Sequence, residues 1–227
     1  MIRSLLRRGR AAPRLPRPGP CGGGRHTLRT ERLLLYTPAT MLDLAVATAC
    51  GSDPEARRWL GWADGQIVTD ARVREALLAL HPGDLDTRRF TPQVRKSLAR
   101  PFEPAADQVE LLIGVRLDDG RYAGSVMLDA GSGELGGQLA PHARGQGLGA
   151  ELFGAAVLLG HAHLGLRTVR AGHEPANAAS AGALARAGFV ADDGPPLHTL
   201  PNGREVDSCW LRHTSTTPPT RCPSCDA

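Results

Sequence analysis

Lysine is almost missing from this chain. Lys96 is the single lysine among 27 basic residues, and the rest are arginine. We read that skew as genomic composition, without functional weight. Aromatic residues are scarce as well, at 4% of the chain, so a core has to be built mostly from Leu, Val and Ala. No apolar run approaches the ~20 residues that a membrane-crossing helix needs, and no membrane association is expected. The five cysteines (Cys21, Cys50, Cys209, Cys222 and Cys225) lack the spacing of a disulfide framework, which suits a reducing, cytoplasmic setting. Cys222-Pro-Ser-Cys225 has the C-x-x-C form. A structural metal site needs about four ligands, however, and only His213 is near in sequence, so no metal is expected.

The net charge of +4 is unevenly placed. Eight arginines (Arg3, Arg7, Arg8, Arg10, Arg14, Arg17, Arg25 and Arg29) and no acid fall within residues 1–29. Taking those eight from 27 leaves 19 basic residues against 23 acidic ones, a net of −4 for the remainder. A mildly acidic body without a basic patch excludes nucleic acid as the expected partner. Residues 1–27 are rich in Arg, Pro and Gly and contain Gly22-Gly23-Gly24, a composition that cannot bury a core. They lack the apolar centre of a secretory signal. The expected organisation is a disordered tail over 1–28, one domain over 29–213 and a second disordered tail over 214–227, as a monomer or a homodimer.

Hydrophobic periodicity and turn chemistry divide that domain. Residues 31–36 read as a strand, followed by a helix over 41–50 behind Thr40. Asp53-Pro54 reads as an N-cap and N1 pair opening a helix that stops near Gly61. A third helix is expected over 69–80, with Val73, Leu77, Leu78 and Leu80 on one side, whereas 84–100 is ambiguous. Strands at 109–117 and 122–128 flank Asp118-Asp119-Gly120, a strong hairpin signal. A strand over 134–140 contains Gly136-Gly137, compatible with a bulge. A helix over 147–163 carries Leu148, Leu152, Ala155 and Leu159 on one face. Then come a strand at 168–171, a helix ending at Ala187-Gly188, a strand from Phe189, a hairpin tip at 201–203 and a last strand over 205–211. The expected fold is α/β (α+β), a mixed and mostly antiparallel sheet. Its strands 134–140 and 168–171 run parallel, because a helix joins them.

The most informative segment is Pro141-His142-Ala143-Arg144-Gly145-Gln146-Gly147-Leu148-Gly149, a strand end, a glycine-rich turn and a helix start. Several backbone N–H groups and the positive end of a helix dipole converge there, and Arg144 adds a full charge. The natural guest is a diphosphate. A P-loop is excluded, since no lysine or hydroxyl occupies the required place. A Rossmann fingerprint is formally present as Gly145-x-Gly147-x-x-Ala150. It follows antiparallel strands, though, and lacks the acid expected at the end of the next strand. The third reading is an acyl-CoA site. Asn177, Ser180 and Leu184 share a face of the later helix, where short polar groups need partners such as the amides of a pantetheine arm. The bland alternative makes Asn177 an N-cap and Ser180 a first-turn residue.

Three segments in order resemble the GNAT acetyltransferases. Arg144-Gly145-Gln146-Gly147-Leu148-Gly149 is similar to their [QR]-x-x-G-x-[GA] acetyl-CoA signature. Asn177-x-x-Ser180, with Ala187-Gly188-Phe189 beyond it, resembles their later N-x-x-S and GF segment. Thr30-Glu31-Arg32-Leu33-Leu34-Leu35 resembles the opening strand of the branch that acetylates ribosomal-protein N-termini. The resemblance implies acetyl-CoA as donor and a primary amine, on a small molecule or a peptide, as acceptor. It implies helices on both faces of the sheet and a splayed central pair of strands. The N–H groups of Gln146, Gly147, Leu148 and Gly149 would then hold the diphosphate, with Arg144 and Gly145 also in the cofactor site, Leu139 would pair with pantetheine, and Asn177 and Ser180 would touch it from the other side. Glu134, opening its strand, is the first candidate for general base, and His173 is the second. Many members carry a tyrosine acid where this chain has Leu184, and the ribosomal-protein branch tends to carry aromatics where this chain has Gly137 and Gln138. A non-catalytic acyl-CoA-binding protein of the same fold and a nucleotide-dependent oxidoreductase stand as alternatives.

Overall fold

The computed structural model describes residues 24–85, 90–104 and 109–217. Strands β1 (Thr27–Arg29), β2 (Leu33–Tyr36), β3 (Val109–Arg116), β4 (Tyr122–Asp129) and β5 (Leu135–Leu139) form an antiparallel sheet in that order. Between β2 and β3 lie four helices: α1 (Met41–Cys50), α2 (Pro54–Leu60), α3 (Ala71–Leu78) and α4 (Pro92–Leu98). Helix α5 (Leu148–Leu158) follows β5 and ends in a π-turn over Leu159–His163. Then come β6 (Thr168–His173), α6 (Ala178–Arg186), β7 (Val190–Asp192), β8 (Leu197–Thr199), β9 (Glu205–Asp207) and β10 (Cys209–Thr214). A second sheet has the order β6-β10-β7, and β8 and β9 form a separate hairpin.

Cap chemistry sets the helix starts. The Asp53 carboxylate accepts from the N–H of Glu55 and Ala56, with Pro54 at the first helical position. Asp70 does the same for α3, and Thr91 accepts from Val94 to start α4 inside the segment that periodicity left ambiguous. Of the apolar side expected for the third helix, Leu77, Leu78 and Leu80 are buried while Val73 faces outward.

The first sheet is covered on both faces. Gly114 on β3 approaches Leu152 of α5 on one face. On the other, Tyr36 of β2 reaches Asp43 of α1. A bulge between Gly114 and Val115 turns Tyr122 toward Asp43 as well. Asp43 is buried, and its Oδ1 accepts from the Tyr36 hydroxyl at 2.8 Å and the Tyr122 hydroxyl at 2.7 Å. Its Oδ2 accepts from the N–H of Ala39 and Thr40. One carboxylate thus closes a helix cap and pins two strands. Burial first, with the charge of Asp43 adding to it, pushes both tyrosine pKa values far above the phenolic range. On the α5 stripe Leu148, Leu152, Ala155 and Leu159 are all buried, as their spacing requires.

Three expectations need correction. The domain start expected at residue 29 falls too late: β1 starts at Thr27, Leu28 is buried, and the His26 N–H donates to Thr37 Oγ1. A three-residue strand beside a glycine run has too few residues to show a period. The strand expected over 205–211 is two strands in different sheets, with Ser208 between them. No bulge occurs at Gly136-Gly137, since the β4–β5 register runs unbroken through both. The expected parallel pair is present and splayed, with β5 and β6 joined by one parallel bridge between Glu134 and Arg170. Residues 1–23 and 218–227, with Cys222 and Cys225, lie outside the described residues.

Two outcomes follow from these buried polar groups. Asp43→Ala removes acceptors from two buried hydroxyls and a helix cap, and should cost about 3–5 kcal/mol in urea unfolding. Tyr36→Phe should cost only about 1 kcal/mol. His26 is buried beside His163, 3.6 Å from the Glu110 carboxylate, and burial first, His163 second, depress its pKa to about 4. The fold therefore selects the neutral ring. Its stabilisation is complete above the ordinary value of 6.5 and is lost as pH falls toward 4. Unfolding free energy should drop by about 3 kcal/mol across that window, and His26→Gln should flatten the drop.

Candidate active site

Strands β5 and β6 start side by side and then part. Arg170 N–H donates to Gly133 O at 2.8 Å next to the Glu134 bridge, and beyond it no backbone hydrogen bond joins the two strands among the described residues. The wedge between them is a cavity of about 250 Å³. Its walls are β5 from Leu135 to Leu139, the end of β6 from Ala171 to His173, and the inner faces of α5 and α6. Helix α2 closes another side with Glu55, Ala56, Trp59 and Leu60. Glycine lets the walls pack closely at two points. A Cβ at Gly137 would sit 3.3 Å from the Phe153 ring and 3.0 Å from Ser125 O, and one at Gly149 would sit 3.2 Å from Ala183 Cβ.

The glycine turn lies at the end of β5. A 3-10 turn over Pro141–Ala143 leads into Arg144, and Gly145 and Gly147 take φ values of 72° and 77°, which only glycine adopts without strain. Leu148 then starts α5, with no side chain capping it. Among the described residues no carbonyl or side chain accepts the N–H groups of Gly145, Gln146, Gly147, Leu148 or Gly149. Five donors at the positive end of an eleven-residue helix make an anion cradle. The cation set against the loop's backbone is Arg32. Its guanidinium donates to Gln146 O at 2.8 Å and is anchored on Glu151, which also accepts from the Thr30 hydroxyl. Periodicity carries no sign of that contact, because Arg32 precedes the turn by more than a hundred residues.

Arg144 points elsewhere than its place in the turn suggested. Its Nε donates to Leu139 O at 3.1 Å, one terminal nitrogen donates to Asp53 and Glu55 at 2.9 and 3.0 Å, and the other donates to Asp53. The full charge expected for the turn is therefore paired with two carboxylates on α2. Burial opposes the ionisation of Asp53, yet Arg144 and the capped N–H groups together hold its pKa below the usual range. The pair consequently persists at neutral pH.

The wedge brings together Leu139, Arg144, Gly149, His173, Asn177 and Ser180. Gly145, Gln146, Gly147 and Leu148 adjoin it without lining it. The Asn177 side-chain oxygen accepts from Ser180 N–H at 3.0 Å and so caps α6, as the bland reading held. His173 Nδ1 lies 2.9 Å from Glu174 O, which places the proton on Nδ1 and leaves Nε2 as the basic nitrogen. Glu134 sits at the closed vertex, exposed and outside the cavity lining. Leu184 is buried in the cavity wall. Gln138 was not singled out as a functional residue. Its amide donates to Ser125 Oγ at 2.8 Å and to Ala47 O at 3.4 Å, and its Oε1 is buried without a partner among the described residues. No group of three or more His, Cys, Asp or Glu side chains is placed to hold a metal among the described residues. Nor is any helix there long and apolar enough to cross a membrane.

An antiparallel five-stranded sheet ahead of the turn is not the doubly wound parallel sheet of a dinucleotide fold. Solved structures match the whole architecture. A GNAT-family acetyltransferase from Bacillus anthracis aligns with a TM-score of 0.53 at 14% identity, covering 83% of this chain and 98% of its own. An acetyltransferase from Agrobacterium tumefaciens str. C58 aligns at 0.53 and 19%, covering 91% and 100%. The ribosomal-protein-S5-alanine acetyltransferase from Vibrio fischeri aligns at 0.51 and 14%, covering 85% and 98%. These identities speak to the fold alone. No curated protein matches the sequence at a significant level. The model of the acetyltransferase (GNAT) domain matches residues 32–190, most of the chain. With the splayed strands and the glycine turn at the head of α5, that match makes this chain a member of the GNAT acetyltransferase family.

Proposed function

We propose that the chain transfers the acetyl group of acetyl-CoA to a primary amine by direct attack. The observation that carries this reading is the junction of two features, a cradle of five unpaired N–H groups and a wedge lined by strand backbone. A diphosphate fits the first, with the N–H groups of Gly145, Gln146, Gly147, Leu148 and Gly149 as donors. An extended arm with two amides fits the second, running along Leu139 and past Asn177 and Ser180. The acceptor enters from the side of α2, Gln138 and His173.

The chemistry needs a free amine lone pair and donors for the oxyanion. As the amine nitrogen bonds to the thioester carbon, His173 Nε2 accepts a proton from it. Backbone N–H groups at the inner edge of β5 face the carbonyl oxygen as it gains charge. The carbon–sulfur bond then breaks, and CoA leaves as a thiolate protonated by solvent, since Leu184 offers no acid. Gln138 lines the wedge with its amide held by Ser125 and Ala47, and so shapes the acceptor side. His173 is preferred to Glu134 as base because it lines the wedge and Glu134 does not. The second reading, an acyl-CoA-binding protein without turnover, draws on the apolar Leu184. The acceptor class remains a small-molecule or peptide amine.

Two measurements test this. At about 100 times its dissociation constant, acetyl-CoA should raise the unfolding free energy of the full chain by about 2.7 kcal/mol, and NADPH should not. Gly147→Glu should abolish that shift. No shift with acetyl-CoA contradicts the reading. In a thiol-release assay over an amine and peptide panel, His173→Gln should lower kcat/KM by about 10²-fold, with Glu134→Gln within about threefold of the parent. The reverse pattern assigns the base to Glu134, and binding without turnover supports the second reading.

A further inference from the structure

Arg144 spans the cavity. It lines the wedge, and it is bonded to both walls, to Leu139 O on β5 and to Asp53 and Glu55 on α2. The Asp53 pair is bidentate and mostly shielded from solvent, with the two side chains 25% and 11% exposed. Its contacts leave little donor capacity free, since Nε and both terminal nitrogens are engaged. One residue further on, the chain presents five unpaired N–H groups to an anion. An arginine next to an anion cradle, but turned away from it by two carboxylates, is set in competition between two partners. A guanidinium binds carboxylate and phosphate with the same planar fork and similar strength, and with four of its five N–H groups already engaged Arg144 can grip a diphosphate through a fork only by giving up carboxylate contacts.

We propose that Asp53, with Glu55 assisting, is a positioning residue that holds Arg144 as a latch across the wedge, and that the diphosphate of the bound cofactor draws Arg144 off α2. The inference rests on the acetyl-CoA reading of the wedge and adds a role that no motif assigns to Asp53. Two consequences follow. The carboxylates oppose cofactor binding by the amount needed to release Arg144. Once released, the first turn of α2 loses its tie to the donor loop, so the wall bearing Trp59 loosens after the cofactor binds and the amine binds second. Asp53 keeps its hold on the N–H groups of Glu55 and Ala56 throughout, so α2 stays helical as it moves.

The test uses calorimetric titration of acetyl-CoA into the full chain and its Asp53→Asn, Glu55→Gln and Arg144→Gln variants, with melting curves to verify folding. Asparagine caps helices as well as aspartate does, so Asp53→Asn removes the ion pair and spares the helix start. The latch predicts opposite signs at the two ends of one pair. Asp53→Asn should tighten the dissociation constant roughly fivefold or more, and Glu55→Gln should tighten it less. Arg144→Gln should weaken it about tenfold. A purely structural pair would move both ends the same way. Weakening by Asp53→Asn, or a constant within about twofold of the parent, overturns the latch while leaving the cofactor reading intact. No binding by the parent chain overturns both.

Discussion

Two neighbouring strands that touch at a single bridge impose the main constraint on this molecule. Backbone N–H and C=O groups inside a protein need partners, and a strand edge that faces another strand ordinarily finds them there. Beyond Glu134 and Arg170, β5 and β6 turn away from each other, and their facing edges line a cavity instead. The rest of the fold is arranged to keep that gap open and to make it useful. The outer edge of β5 is secured by β4, and the outer edge of β6 by β10. Helices α5 and α6 pack against each other closely enough that Gly149 cannot become larger without displacing Ala183. The anion cradle lies at the open end because α5 begins where β5 stops.

The donor loop is held from outside by long-range polar contacts. On one side Arg32 and Thr30 of the opening segment meet Glu151 on α5 and the Gln146 carbonyl. On the other, Arg144 ties the turn to α2. The far end of α2 is fastened as well. Gly61, in a left-handed conformation, lies against Leu200, and Arg204 joins the Arg58 carbonyl to Glu174 at the exit of β6. The helix that walls the wedge is thus connected at one end to the glycine turn and at the other to the hairpin of β8 and β9. A change at the turn has a route to the proposed acceptor side through one short helix, without any rearrangement of the sheet.

The parts of this arrangement that were legible in the sequence are those written in local chemistry. Gly145 and Gly147 advertise backbone conformations that other residues avoid, Asp53-Pro54 spells a helix start, and the α5 stripe has a clear period. The family resemblance, resting on residues 30–35, 144–149 and 177–189, agrees with the domain match over residues 32–190. What was not legible depends on partners far apart in the chain. Arg144 is 91 residues from Asp53, Arg32 is 119 from Glu151, and Tyr122 is 79 from Asp43. Nothing in local spacing says that Arg144 will choose a carboxylate on α2, or that Glu134 will fall outside the cavity while His173 falls inside it. The parting of β5 and β6 was expected through the family resemblance alone, since a strand's pattern records its faces and not which of its edges is paired.

Amide hydrogen exchange on the full chain, with and without saturating acetyl-CoA, tests the central claim most directly. A cofactor seated in the wedge should protect the N–H groups of residues 145–149 and the inner edges of β5 and β6 near residues 136–139 and 171–174, with little change in β1, β3 or α3. Protection absent from the glycine turn, or confined to another part of the molecule at saturation, would contradict the assignment of the wedge as the acetyl-CoA site.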